Sequence, residues 1–167
     1  MKNKKIINKE ILEKIKNISE QININYTTID IICILPTTIF FLADLIKYIK
    51  IPTQVHYFSY NNIRDLINSG EVEIVQDVKV SLKNKNLLIL DGVIISGKTP
   101  FYIYNYFLNR GPNNINFCVI GYKPKSLKFN IPIKYFAFEF ENEHIVGYGI
   151  GNSEEHSLNY LIDKKST

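Results

Sequence analysis

The chain is poor in the features that mark several protein classes. It has two cysteines in 167 residues, Cys33 and Cys118, with no C-x-x-C pair and no Cys/His cluster. That argues against a disulfide-stapled scaffold or a zinc module and fits two buried, reduced thiols. The basic N-terminus lacks the continuous apolar core of a signal peptide. The most apolar run, Ile29 to Ile49, is interrupted by Pro36, Thr37, Thr38, Asp44 and Lys47, so it reads as a strand followed by a helix rather than a membrane span. A cytoplasmic protein without a membrane partner is expected. The net charge of +4 is mild, and the lysines are mixed with acids. No basic stripe for nucleic acid stands out, whereas small phosphorylated molecules remain compatible. Internal repeats and low-complexity linkers are absent too.

What is there describes a folded domain. Apolar residues make up 46% and charged residues 22% of the chain, enough to bury a core within one domain, residues 1–167. Ile, Asn and Lys are used heavily, as in AT-biased coding, so each one carries less information.

The most informative stretch is Leu87-Leu88-Ile89-Leu90-Asp91-Gly92-Val93-Ile94-Ile95-Ser96-Gly97-Lys98-Thr99. Four apolar residues make a buried strand, small residues make a turn, and a helical run follows from Pro100 to Asn109. Such a turn aims orphan amides and the positive end of a helix dipole at one spot. Ser96, Gly97, Lys98 and Thr99 add two hydroxyls, a residue able to take positive φ and a cation. A phosphate suits that combination. An ordinary strand-to-helix turn would carry the same residues, and Gly92 to Thr99 also matches G-x-x-x-x-G-K-[ST], so a Walker A loop competes.

Around that stretch the pattern alternates. Ile7, Ile11, Ile15, Ile18 and Ile22 recur at helical spacing, which predicts an amphipathic helix over 7–23. Ile29 to Leu35 is a buried strand. A helix from Thr38 to Ile49 follows, with Thr37 or Thr38 as its N-cap. Val55 to Tyr60 is a strand, Asn61 to Gly70 a polar excursion, and Val72 to Val80 a strand or hairpin arm. Strands are also predicted at Ile115 to Ile120, Ile133 to Phe138 and His144 to Tyr148, before a polar tail. Strands alternating with helices imply an α/β fold with a mainly parallel sheet. Its ligand site belongs at the carboxyl ends of the strands, on the loops after Leu35, Leu90, Ile120 and Phe138. The aromatics Phe101, Tyr102, Tyr104, Tyr106 and Phe107 are too continuous for one helix face. They predict a helix pressed between the sheet and either a second subunit, making a homo-oligomer, or solvent. His56 and His156 lack metal-ligand spacing and are expected at the surface or in packing.

The order of these pieces resembles the purine phosphoribosyltransferases of the hypoxanthine (hypoxanthine-guanine) type. The resemblance is carried by Phe41-Leu42-Ala43-Asp44-Leu45, Ser59-Tyr60, the segment Leu87 to Thr99, Arg110-Gly111-Pro112, Lys123-Pro124, Asn130-Ile131-Pro132-Ile133, Tyr135 to Glu139 and Val146-Gly147-Tyr148-Gly149. It spans nearly the whole chain and outweighs the Walker A match. It implies a type I phosphoribosyltransferase-like sheet flanked by helices, with a small hood from the terminal segments. The implied reaction joins hypoxanthine or guanine to phosphoribosyl pyrophosphate with Mg²⁺, releasing pyrophosphate.

By resemblance, Ser96, Gly97, Lys98 and Thr99 hold the 5′-phosphate. Asp91 and Gly92 lie by the ribose, and Asp91 is the candidate metal contact. Lys123, His144 and Ile145 lie by the purine. Asp91 read by itself serves equally to cap its own turn. Several expected groups are missing. The second acid is Gly92, and the general base is Ile95. The pyrophosphate turn is Pro36-Thr37, where proline has no N–H to offer. A metal-associated aspartate is Gly151, and a pyrophosphate-facing arginine is Ser157. The losses fall on the metal, the leaving group and the proton. The expectation is a purine-salvage protein that binds IMP, GMP or phosphoribosyl pyrophosphate, with weakened or lost transfer and with Mg²⁺ if active. The alternative is a non-catalytic nucleotide-sensing or interaction protein on the same fold.

Overall fold

A computed structural model of the chain describes residues 4–62, 72–141, 144–151 and 154–164. Six strands form the main sheet: β2 (Ile29–Leu35), β3 (Thr53–Asn62), β4 (Val72–Gln76), β5 (Asn86–Ile94), β6 (Asn114–Tyr122) and β7 (Ile133–Glu139). Their order is β4-β3-β2-β5-β6-β7. Every neighbouring pair is parallel except the antiparallel β3 and β4.

Because successive strand residues face opposite sides, each central strand feeds two cores. Ile31, Cys33, Leu88, Leu90, Cys118 and Ile120 meet α1 (Asn8–Asn25) and α2 (Ile39–Leu45) on one face. Ile32, Ile34, Leu87, Ile89, Phe117 and Val119 meet α3 (Lys98–Leu108) on the other. Isoleucine is a mediocre helix former, costing up to about 0.7 kcal/mol per residue. Burying one contributes about 1.5–3 kcal/mol. Ile11, Ile15, Ile18 and Ile22 are all buried, so packing decides α1. Among the described residues no helix is long and apolar enough to cross a membrane.

A second sheet stands over one end of the first. It joins β1 (Lys4–Ile6), β9 (Leu161–Lys164) and β8 (His144–Val146) in antiparallel order. This is the hood, and both terminal segments build it. Two strands contradict the sequence reading: β1 was not foreseen, and β9 lies in what reads as a polar tail. Neither has enough residues to display a period: β1 is held by pairing with β9, and β9 by pairing with β1 and β8. The last predicted strand also stops early, giving way to a turn at Gly147–Ile150 closed by the Gly147 N–H to the Ile150 carbonyl, 2.7 Å. Likewise the hairpin arm ends at Gln76.

Two helix boundaries move. α2 covers only Ile39–Leu45. The Thr38 hydroxyl does not cap it: it donates to the Ile34 carbonyl at 2.7 Å and sits 3.0 Å from the Cys33 sulfur. α3 starts at Lys98, so Lys98 and Thr99 belong to its first turn. Asn61 and Asn62 of the expected excursion continue β3, and residues 63–70 lie outside the described residues.

Candidate functional site

β5 runs unbroken through Gly92 to Ile94, pairing Val93 with Gly121 and Ile94 with Tyr122 of β6. That removes the Walker A reading, because a phosphate loop needs turn backbone between its first glycine and its lysine. Here Gly92 is sheet, and only Ile95, Ser96 and Gly97 turn. Gly97 takes φ of +79° as the N-cap residue of α3. A Cβ there would also stand 2.8 Å from Leu127 Cδ1, the movable end of a side chain, so the left-handed backbone is what calls for glycine. The Ser96 carbonyl accepts the Lys128 N–H at 2.9 Å, and its hydroxyl is 3.4 Å from the Lys98 amide. These contacts set the turn so that the opening of α3, with its orphan amides and positive dipole end, faces outward. Pro100 contributes no N–H, leaving the donors at Lys98 and Thr99.

The turn forms one end of a cavity of about 410 Å³, a size suited to a small ligand. Residues 91–100 make its floor, and Thr37, Tyr60 and Ile150 complete the lining. Among the described residues, Asp91 is the one carboxylate lining it. Burial pushes the Asp91 carboxyl up to about 6, while the Gly92 N–H, donating at 2.7 Å, works in the other direction. Burial, and then the charge of Asp91, push the Tyr60 phenol well above its ordinary range. The cavity therefore has a cationic end at Lys98 and an anionic point at Asp91, with hydrocarbon between them.

The hydrocarbon is specific. Ile95 leaves its side chain 43% exposed at the cavity and offers no lone pair. Gly92 is covered by the hood: a Cβ on it would lie 3.3 Å from Ile150 Cγ1 and 3.7 Å from Thr37 Cβ. Gly149, at φ of +88°, fits closely over the Thr37 carbonyl, 2.8 Å from where a Cβ would stand. The Pro36-Thr37 turn, which follows a cis Leu35–Pro36 peptide, thus lies directly beneath the hood. Gly151 adopts φ of +109°. The carboxylate beside it belongs to Glu155, which Lys164 engages. Ser157 is exposed on the same segment.

The structure gathers Asp91, Gly92, Ile95, Ser96, Gly97, Lys98 and Thr99 on one wall. Lys123, His144 and Ile145 are not on it. Lys123 directly follows β6, its N–H donating to the Ile94 carbonyl at 3.0 Å, but its side chain is turned inward and 1% exposed. His144 is exposed on β8, and Ile145 is buried there opposite Asp163. Of the four expected loops, those after Leu35 and Leu90 reach the cavity. After Ile120 and Phe138 the chain packs on itself instead: Phe140 lies so close to Gly121 that its ring leaves no room for a Cβ there. Sequence reading passed over Ile150, which carries no motif and acts only through the hood's placement.

Mg²⁺ does not fit this wall as a resident ion. It prefers several oxygen ligands in octahedral array, and Asp91 alone faces Gly92, Ile95 and Ile150. No group of three or more His, Cys, Asp or Glu side chains that could hold a metal occurs among the described residues.

A mainly parallel sheet with a strand-to-helix turn after β5 and a hood from both terminal segments defines the type I phosphoribosyltransferase fold. The sequence profile of the phosphoribosyl transferase domain matches residues 2–151. The chain is 31% identical over 161 residues to the hypoxanthine phosphoribosyltransferase of Buchnera aphidicola, covering 93% of this chain and 90% of that one. It is 28% identical to the hypoxanthine-guanine phosphoribosyltransferase of Dictyostelium discoideum, covering 94% and 92%. A crystal structure of a hypoxanthine-guanine phosphoribosyltransferase from Bacillus anthracis superposes with a TM-score of 0.91, at 26% identity and 98% coverage of both chains. The hypoxanthine phosphoribosyltransferase of Trypanosoma cruzi, in complex with IMP, shares the fold with a TM-score of 0.89 at 20% identity, covering 96% of this chain and 94% of that one. The chain belongs to the phosphoribosyltransferase family, in its hypoxanthine-guanine branch.

Proposed function

We propose that this protein is a purine nucleoside monophosphate binder of the purine-salvage family in which phosphoribosyl transfer is weak or lost. The observation that carries the reading is the contrast within one cavity. Ser96–Thr99 and the start of α3 make an anion site, whereas Gly92, Ile95 and Ile150 present hydrocarbon where transfer needs charge and a proton acceptor. IMP and GMP are the expected ligands; the IMP complex of the Trypanosoma cruzi relative supports that choice. Asp91 faces the ribose, and Lys123, His144 and Ile145, which lie off the cavity wall, form the purine end once the Lys123 side chain turns out.

Electrostatics ranks the loss. Stabilising pyrophosphate as it departs requires positive charge or amide donors aimed at it, and removing one such donor costs about 3–4 kcal/mol. Lacking a general base costs on the order of 10²–10⁴-fold more. Holding a monophosphate needs neither. Mg²⁺ enters with phosphoribosyl pyrophosphate as a substrate complex if any transfer remains, and the cytoplasm is the compartment that supplies both.

Calorimetric titration with IMP and GMP, with and without Mg²⁺, tests the binding. Absence of heat and of thermal stabilisation at millimolar nucleotide rejects the proposal. A coupled assay for pyrophosphate release with hypoxanthine, guanine and xanthine tests the transfer. Turnover at an ordinary enzyme rate, on the order of 1–10³ s⁻¹, rejects the claim of weakened catalysis. Binding without turnover favours the nucleotide-sensing role.

A further inference from the structure

The sugar wall of this cavity has one charged acceptor and one hydrocarbon surface. Asp91 Oδ1 takes the Gly92 N–H at 2.7 Å, leaving the second carboxylate oxygen for a ligand. The adjoining position, Gly92, supplies no side chain, and the Ile150 side chain covers it, with Cγ1 3.3 Å from where a Gly92 Cβ would be. The remaining polar groups on that side, Thr37 and Tyr60, are neutral hydroxyls, and hydrogen bonds to them are roughly half as strong as those to a carboxylate. A sugar attached to a phosphate at Ser96–Thr99 would reach residues 91–93, which line the same cavity. Two neighbouring ring hydroxyls then meet unequal surfaces.

The geometry points to a site that reads one ribose hydroxyl and ignores the other, so that it accepts nucleoside 5′-monophosphates lacking that second hydroxyl, deoxynucleotides among them. This rests on the monophosphate-binding reading above and narrows its ligand class. Leaving a hydroxyl against Ile150 without a partner costs its hydration, so removing it is neutral or favourable. Removing the hydroxyl that Asp91 accepts forfeits a charged hydrogen bond.

The test titrates the wild-type protein at about pH 8, above the carboxylate range, with IMP, 2′-deoxy-IMP and 3′-deoxy-IMP. One deoxy analogue is expected to bind within about threefold of IMP, and the other to lose about tenfold or more. Loss of about tenfold by both analogues overturns the inference, as does equal binding of all three. Either result leaves the monophosphate-binding proposal intact, whereas failure of IMP itself to bind removes both. A second arm uses the Ile150→Ala/Gly92→Asp double variant, in which the cleared space takes the new carboxylate. It is expected to discriminate about tenfold against the analogue that the wild type tolerates. Ile150→Ala alone is expected to keep the wild-type pattern. A properly folded double variant with that pattern unchanged overturns the role given to the Ile150 wall.

Discussion

The Tyr148 hydroxyl donates to Asp44 Oδ2 at 2.5 Å. The bond joins the hood to α2 across 104 residues of chain. Burial, followed by the Asp44 carboxylate that the phenol bonds, raises the Tyr148 phenol well above its usual range. The ring of Phe40 lies 5.9 Å from that of Tyr148 and 6.0 Å from that of His156, so the turn bearing Ile150 is clamped over the cavity. Tyr148→Phe is expected to lower stability by about 1.5–3 kcal/mol, the range for a hydrogen bond to a charged group. Urea denaturation of the single and Asp44→Asn double variants measures it. Additive losses would mean that the two residues are not coupled.

Gly97→Ala should harm both stability and ligand binding. The left-handed backbone and the 2.8 Å approach to Leu127 Cδ1 together cost about 1–3 kcal/mol, and relaxing them moves the amides of α3. IMP affinity is expected to fall at least about tenfold. Adding Leu127→Ala should recover the steric part and leave the backbone part. Full recovery of stability would show that the φ of Gly97 carries no strain for alanine.

Asp91 gives a pH signature with a definite sign. Its carboxyl titrates at about 6 in the folded chain against a reference of 3.8, so the folded state holds the proton more tightly. Stability from this group is fully present below the unfolded value and is lost as pH rises through the folded one. Asp91→Asn, which stays neutral, should therefore gain stability relative to the wild type between about pH 4 and 6 and hold a constant advantage above that. Denaturation curves across that range decide it, and a flat difference would place the carboxyl in water.

At the opposite rim of the sheet, Asp30 is 3% exposed. It bonds His56 Nε2 at 3.0 Å and lies 3.8 Å from Lys85 Nζ. His56→Leu should cost about 1.5–3 kcal/mol, the range for a hydrogen bond to a charged group, with Lys85 left beside the carboxylate. Asp30→Asn should cost less. Indistinguishable thermal midpoints for His56→Leu and the wild type would refute this.

His56 also marks the boundary of what sequence reading reaches. It shows no motif with Asp30, 26 residues away, and the two meet only because β2 and β3 pair in parallel register, Ile32 opposite His56. The central strands and α1 behave differently. Their isoleucines and leucines repeat at the period of the element itself, so burial on one face or both is written locally. The turn at Ser96–Thr99 is legible for the same reason, since a glycine between a strand and a helix supplies the positive φ that a short connection there needs.

The amino-acid sequence by itself determined the α/β architecture, the family and the strand-to-helix turn after β5, and it put residues without a carboxylate or a base at Gly92, Ile95 and Gly151. Only the tertiary structure decided that Gly92 is strand rather than loop and that Ile150 covers it. The same holds for the strand pairing of the two ends and the inward turn of Lys123. The physical reason is separation along the chain. A period or a turn draws its energy from residues within a few positions, but the wall of this cavity joins residues 37, 60, 91–100 and 150, whose contacts exist only once the sheet and hood are packed.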